Sequence, residues 1–267
     1  MQVSDVLDFM REFTPQTLAE SWDNVGLLVG REDREATRVM TCLTLSPDVA
    51  DEAIARQANL VITHHPVLFR GVQQVTEATS EGKMLLGLIE NGISVFSPHT
   101  CYDSAHEGIN RQLADSLELQ NIRPIRPIDA NETGDDCDLL GSGRFGDLAT
   151  PVTFGALIDR VKSALQITDT QFVGDASQSV SRVGIACGAA AEFMSDADKL
   201  GCDVLLTGEA RFHACLEARV LGVGLILPGH YATERPAMVS LAVKLKTQFS
   251  GLDVWASEVE SDPVEWA

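Results

Sequence analysis

The 267-residue chain has no apolar run approaching the ~20 residues that span a bilayer, so no membrane-crossing helix is expected. Its first residues, MQVSDVLDFMREFTP, form an amphipathic stretch with early acids. They lack the basic region and apolar block of a secretory signal, and a cytoplasmic location is expected. The six cysteines, Cys42, Cys101, Cys137, Cys187, Cys202 and Cys215, include no C-x-x-C pair. They read as reduced thiols packed as small apolar residues, with no support for a structural zinc knot. Basic residues are few: 20 Lys and Arg stand against 39 Asp and Glu, for a formal charge of −19. An acidic excess of that size repels phosphate backbones and argues against general nucleic-acid binding. A small anionic substrate is still compatible, because bound cations can dominate a local field. No short-period repeat is visible.

What is present is an alternation of short aliphatic runs with helical patterns, the signature of an α/β fold. Strands are expected at 38–45, 59–63 and 93–98. The first is followed by Ser46-Pro47-Asp48, which offers a cap, a first-turn proline and a first-turn acid for a helix to about residue 57. Further helices are expected at 82–90, stopped by Asn91-Gly92, and at 108–117. Residues 119–150 break the pattern with prolines, a run of acids and several glycines, and read as a connector leading into the strand GSGRFGDL. Beyond it, helices are expected at 152–165, 191–200 and 234–249, and strands at 181–187, 202–208 and 222–229. The simplest organisation is two α/β lobes, 1–125 and 126–267, with a cleft between them.

The six histidines cluster at strand ends. His64 and His65 follow the strand VIT, His99 and His106 bracket Asp103 after ISVFSP, His213 lies in TGEARFH, and His230 follows VGLILPG. Ligands of open α/β sheets bind beyond the carboxyl ends of strands, where side chains from separate parts of a chain converge. Each cluster alone has an ordinary reading. An HH pair is common on surfaces, and PHTCYD reads as a hydrogen-bonded turn. GHYATE reads as a helix entry with Thr233 as cap, Glu234 on the dipole and Pro236 in the first turn. Together, neutral imidazoles and carboxylates are the donors that intermediate divalent ions take, and a bridging carboxylate suits two ions ~3.5–4 Å apart.

The ordered blocks SWDNVGLLVG (21–30), VITHHPVLFRG (61–71), SPHTCYDSAHEGIN (97–110), DVLLTGEARFH (203–213) and LILPGHYATERP (225–236) run over most of the chain. In this order they resemble the type 2 GTP cyclohydrolase I homologues, or Nif-three-like family, dinuclear-metal proteins that assemble as hexamers. The resemblance implies a dinuclear site in the cleft between the lobes. Its ligands would be His64, His65 and Asp103 from the first lobe and His230 and Glu234 from the second, with Glu234 the natural bridge. It also implies a homohexamer. Three features depart from the family pattern. Cys101-Tyr102 precede Asp103 where Asn-Leu is usual, and packing is the expected role of Cys101. CGAAAEFM replaces a glycine/serine-rich turn, which puts a phosphate-cradling role for that loop in doubt. Arg70 stands where lysine is frequent; it could hold a phosphate in a bidentate fork or be a plain surface residue.

His99 and Glu209 are candidate catalytic residues, and Arg70, Trp22 and Asp23 candidate substrate-binding residues. For each a plainer role is available: a turn histidine, an acid paired with His213 on one helix face, an anchor for the N-terminal segment. Two ions sharing a water would lower its pKa from 15.7 towards ~7, which suits hydrolysis. The resemblance implies attack on the purine ring of GTP with release of formate. A phosphohydrolase or amidohydrolase acting on another small substrate, and a non-catalytic metal-binding interaction protein, are the alternatives. The donor set accommodates zinc, iron, manganese, cobalt or nickel.

Overall fold

A computed structural model describes residues 1–128 and 140–265. The acidic stretch of the expected connector, 129–139, lies outside the described residues. By contact density the chain divides into two compact units: unit 1 joins Met1–Tyr102 to Ala237–Pro263, and unit 2 is built on Asp103–Pro236. The units are therefore not simply the two halves of the sequence. Residues 103–128 join unit 2, and 237–263 return to unit 1.

Unit 1 carries α1 (Val3–Phe13), β1 (Gly26–Val29), β2 (Arg38–Cys42), α2 (Pro47–Ala55), β3 (Leu60–Thr63), α3 (Ser80–Glu90), β4 (Ser94–Ser97) and β13 (Asp253–Ala256). Its sheet has the order β1-β4-β3-β2-β13 and is parallel except for β1. Every residue of β3 and β4 is buried, as a parallel strand covered on both faces requires. Met40, Val61 and Val95 lie in one core with Val49, Ala53, Leu85 and Leu88 of the helices. The C-terminal strand is tied in by Glu52 of α2, a buried acid that accepts hydrogen bonds from Trp255 Nε1 (3.1 Å) and Ser257 Oγ (2.6 Å).

Unit 2 contains α5 (Ile109–Ser116), β5 (Gln120–Arg123), β6 (Arg126–Pro127), β7 (Gly141–Ser142), β8 (Arg144–Thr153), α6 (Phe154–Leu165), β9 (Gln171–Val173), β10 (Ser179–Ala186), α7 (Met194–Lys199), β11 (Val204–Thr207), α8 (Phe212–Leu221) and β12 (Gly224–Leu227). Its main sheet runs β5-β8-β10-β11-β12-β9, with β10, β11 and β12 parallel and the outer strands antiparallel. Alternate residues of one strand feed opposite cores. Val204, Leu206 and Ile226 join Phe154 and Leu157 of α6, whereas Leu205, Leu225 and Leu227 join Met194 and Ala197 of α7. That two-sided burial explains why these strands read as unbroken aliphatic runs.

Two elements span the unit boundaries along the chain: α4 (His99–Ser104) and α9 (His230–Gln248), the latter with Pro236 inside it. Both correct the expectations. PHTCYD was expected as a turn and is helical from His99. The last helix starts at His230, not at residue 234, so Thr233 is inside it and is no cap; its hydroxyl donates back to the His230 carbonyl at 2.8 Å. No helix among the described residues is long and apolar enough to cross a membrane.

Candidate metal centre

In unit 1 the parallel strands β3 and β4 deliver histidines at their carboxyl ends. The backbone amides of His64 and His65 continue the ladder to Cys42 and Leu43 (3.0 and 2.9 Å), and Ser97 Oγ donates to the His64 carbonyl at 2.7 Å. These bonds fix the backbone from which the two imidazoles project. His65 Nδ1 lies 2.7 Å from Thr44 Oγ1, a contact that fixes the ring. His64, His65 and His99 each offer a ring nitrogen, all within 4.8 Å of one another. Their ring centroids are 5.1–5.7 Å apart. Three imidazoles at that spacing are a donor set of the kind divalent transition metals accept.

Asp23 orients His99. Its Oδ1 lies 2.7 Å from His99 Nδ1, and its Oδ2 accepts from the Thr100 hydroxyl at 2.5 Å. A carboxylate can only accept, so His99 Nδ1 carries a proton. Burial pushes the Asp23 carboxyl up, but the bonds from His99 and Thr100 outweigh it and bring the group down to about 2. A carboxyl depressed in the fold contributes stability that is complete above the unfolded value near 4 and lost as pH falls through 2. Asp23→Asn is therefore expected to cost on the order of 1–2 kcal/mol at neutral pH, shrinking towards zero near pH 2. Urea titrations at both pH values test this, and a cost that persists undiminished at pH 2 contradicts it. Trp22 is exposed, with its ring 6.1 Å from both His99 and Phe69. Arg70 is also exposed and lines a separate pocket of the same unit.

In unit 2 the three parallel strands end in Cys187-Gly188, Gly208-Glu209 and Gly229-His230. The His230 imidazole lies between two carboxylates: Nδ1 is 3.0 Å from Glu209 Oε1 and Nε2 is 3.0 Å from Glu234 Oε2. Burial pulls this imidazole down, but the two acids outweigh it and raise it to about 9. Nε2 and Glu234 thus share a proton at a position where a divalent cation would take the proton's place, while Glu209 fixes the ring from behind. Glu234 itself is buried. Gly188, at φ +67°, leaves the space this needs, because a Cβ there would stand 2.3 Å from Glu234 Oε1 and 3.3 Å from His230 Nε2. The donor chemistry and this cradle both fit a metal ion.

Asp103 is held by groups the sequence did not single out. Cys187 Sγ donates to Asp103 Oδ1 at 3.2 Å, Asn110 Nδ2 donates to the Asp103 carbonyl at 3.2 Å, and Asn110 Oδ1 accepts from the Cys187 amide at 2.8 Å. Burial, then the charges of Asp103 and Glu234, hold the Cys187 thiol well above its ordinary value, so it serves as a neutral donor. Next to Asp103, the carbonyls of Ser104 and Ala105 accept from the buried guanidinium of Arg144. Neither Asn110, in HEGINRQL, nor Arg144, in GSGRFGDL, stands out from its local sequence. Cys101 is buried; the thiol that reaches Asp103 belongs to Cys187. Glu209 and His213 do not share a helix face, because α8 begins at Phe212 and Glu209 turns to His230. The CGAAAEFM loop is tied to neighbouring elements: Gly188 N donates to Thr233 Oγ1 (3.1 Å), and Thr207 Oγ1 donates to the Gly188 carbonyl (3.1 Å) and accepts from Ala190 N (3.1 Å).

Known proteins resemble this chain along nearly its whole length. The family model for Duf34/NIF3 (NGG1p interacting factor 3) matches residues 1–263. A Clostridium perfringens protein named GTP cyclohydrolase 1 type 2 homolog is 30% identical over 100% of both chains. A Clostridium acetobutylicum protein of the same name is 32% identical over 92% of this chain and 90% of its own. The crystal structure of Staphylococcus aureus protein SA1388 superposes with a TM-score of 0.89 at 30% identity, covering 100% of this chain and 99% of that one.

Proposed function

The chain belongs to the Duf34/NIF3 family, and on that footing we propose that it is a metal-dependent hydrolase with a dinuclear centre. His64, His65, Asp103, His230 and Glu234, the set the family resemblance implies, would hold two divalent ions, and Glu234 would be the carboxylate shared by both. The observation that carries this reading is His230 held between Glu209 and Glu234, because an imidazole fixed by one carboxylate and aimed at another, where a cation would replace the shared proton, is how proteins prepare a metal ligand. Two ions held there would supply a water acidified towards pKa ~7 and charge for a developing oxyanion.

The chain's own residues account for the remaining tasks. His99, with Nδ1 held by Asp23, is assigned to accept or return a proton. Glu209 keeps the His230 ring in register. Trp22 is assigned to substrate binding through its aromatic face, whereas Arg70 lines a separate pocket. The names of the relatives support a GTP cyclohydrolase-like reaction, in which a purine ring is opened and formate is lost. A soluble cytoplasmic homohexamer acting on a small molecule completes the reading.

Incubating the metal-loaded protein with GTP and assaying formate and phosphate separately tests the reaction. Formate release that falls in His99→Ala supports the cyclohydrolase reading. Phosphate release without formate replaces it with a phosphohydrolase. A metal-loaded protein that releases neither from any nucleotide or phosphoester contradicts hydrolysis. The family's description as an interacting factor favours metal-dependent partner capture as the second reading in that case.

A further inference from the structure

Unit 1 contains a half-open cavity of about 790 Å³ that the metal centre does not use. Its floor is aliphatic: Val29, Leu85 and Ile93 are buried there. Its rim carries Val72, Val75 and Ile89, which are 41%, 40% and 52% exposed. Large apolar side chains grouped at a rim mark a binding surface more than scattered surface residues do.

The polar groups around this cavity are cationic. Arg31, Arg34 and Arg70 line it, three of only 20 basic residues in a chain of net charge −19. Arg31 is neutralised by Asp33 through two 3.0 Å bonds. Arg34 makes one bond, from Nη1 to the Gly92 carbonyl at 3.2 Å, which positions the guanidinium without neutralising it. Gly92 permits that placement, since a Cβ there would stand 1.7 Å from Nη1. Arg70 has no ion-pair partner among the described residues. Arg70, and Arg34 with only the through-space pull of Asp33, therefore stand over an aliphatic floor. Asn24, the one side-chain amide of the lining, already donates to the Leu68 carbonyl at 2.6 Å. Little is left to read the hydrogen-bonding edge of a base, and two arginines are few for a triphosphate.

We propose that this cavity binds an organic anion with an aliphatic body, a carboxylate of the medium-chain fatty-acid type. The hydrocarbon lies along Val29, Leu85, Ile89 and Ile93, and the carboxylate is held by Arg34 and Arg70. Binding is independent of the metal centre and is measurable in metal-stripped protein. The volume is within the range of small-molecule sites, and a carboxylate is the group a guanidinium fork matches.

The test uses the full chain and dansyl-aminoundecanoate as the probe, followed by fluorescence, with its methyl ester as the uncharged control. Saturable binding near one probe per chain is expected, with the ester at least about tenfold weaker, as loss of a charge-assisted pair implies. Arg70→Gln is expected to weaken the acid by about the same factor and leave the ester unchanged. Arg70 is exposed, so this variant folds. Ile89→Glu, also on the rim, is expected to weaken both probes. The proposal is overturned if ester and acid bind alike, if Arg70→Gln binds the acid as wild type does, or if no saturable binding is found. It is equally overturned if the probe binds only when the protein is diluted to dissociated chains, because the cavity is then covered by a second copy of the chain.

Discussion

Replacing Arg144 with methionine is expected to destabilise the protein by about 3–5 kcal/mol, the scale at which a buried ionic group is lost and its partners are left behind. The side chain is 1% exposed. Nη1 donates to the carbonyls of Gly141 (2.5 Å) and Gly143 (2.7 Å), and Nη2 to those of Ser104 (3.1 Å) and Ala105 (2.7 Å). One guanidinium thus ties the start of β8 to the segment that follows Asp103. Burial, then repulsion from Arg111, lowers it to about 10, so it is still a cation at neutral pH. Methionine fills the stem but leaves four buried carbonyls without their donor. Lysine keeps the charge but cannot reach four carbonyls with one head, and should fall in between. Arg160→Met, which removes an exposed pair to Glu118, is the control and should cost about 1 kcal/mol or less. Urea unfolding with an unchanged slope reads these differences. A cost for Arg144→Met no larger than that of the control contradicts the structural role assigned to Arg144.

Gly188→Ala is expected to lower metal affinity by roughly 10- to 100-fold while costing about 1–2 kcal/mol in stability. Two effects coincide at this position. The backbone is left-handed at φ +67°, where any other L-residue is strained, and the added methyl group would lie 2.3 Å from Glu234 Oε1. Gly201 separates them, because it has φ +71° and nothing within 4 Å of the equivalent Cβ. Gly201→Ala should therefore lose comparable stability and retain its metal. Competition titration with a chelating dye measures both variants. Equal metal affinity in the two would mean that Gly188 serves the backbone alone and does not shape the Glu234 position.

The strands that carry the donors were legible in the sequence because they are buried on both faces. LVIT before His64 and GLIL before Gly229 are continuous aliphatic runs, and the histidines follow at their carboxyl ends. Family blocks added the ligand set, which periodicity could not supply. What stayed hidden depends on long-range partners. β1 and β9 are edge strands, and β9 is largely exposed, so neither has the burial pattern that marks a strand. The helical start at His99 carries a positive φ of 24°, which no local rule assigns to a histidine. Asn110 of α5 meets Cys187 at the end of β10 across 77 residues, and Glu209 and His230 meet across 21 where the ends of β11 and β12 converge. The start of α9 at His230 was misplaced because Thr233 and Pro236 make a convincing entry motif. In the fold Thr233 turns to Gly188 and to the preceding turn instead.

The most direct test of the central claim is bound metal per chain, measured by elemental analysis on wild type, His230→Ala and Glu234→Ala purified in parallel. The account predicts about two ions per wild-type chain, with a fall in both variants and the larger fall in Glu234→Ala, since a carboxylate shared by both ions would affect both. A wild-type chain that holds no metal after reconstitution, or variants that hold as much as wild type, would contradict it.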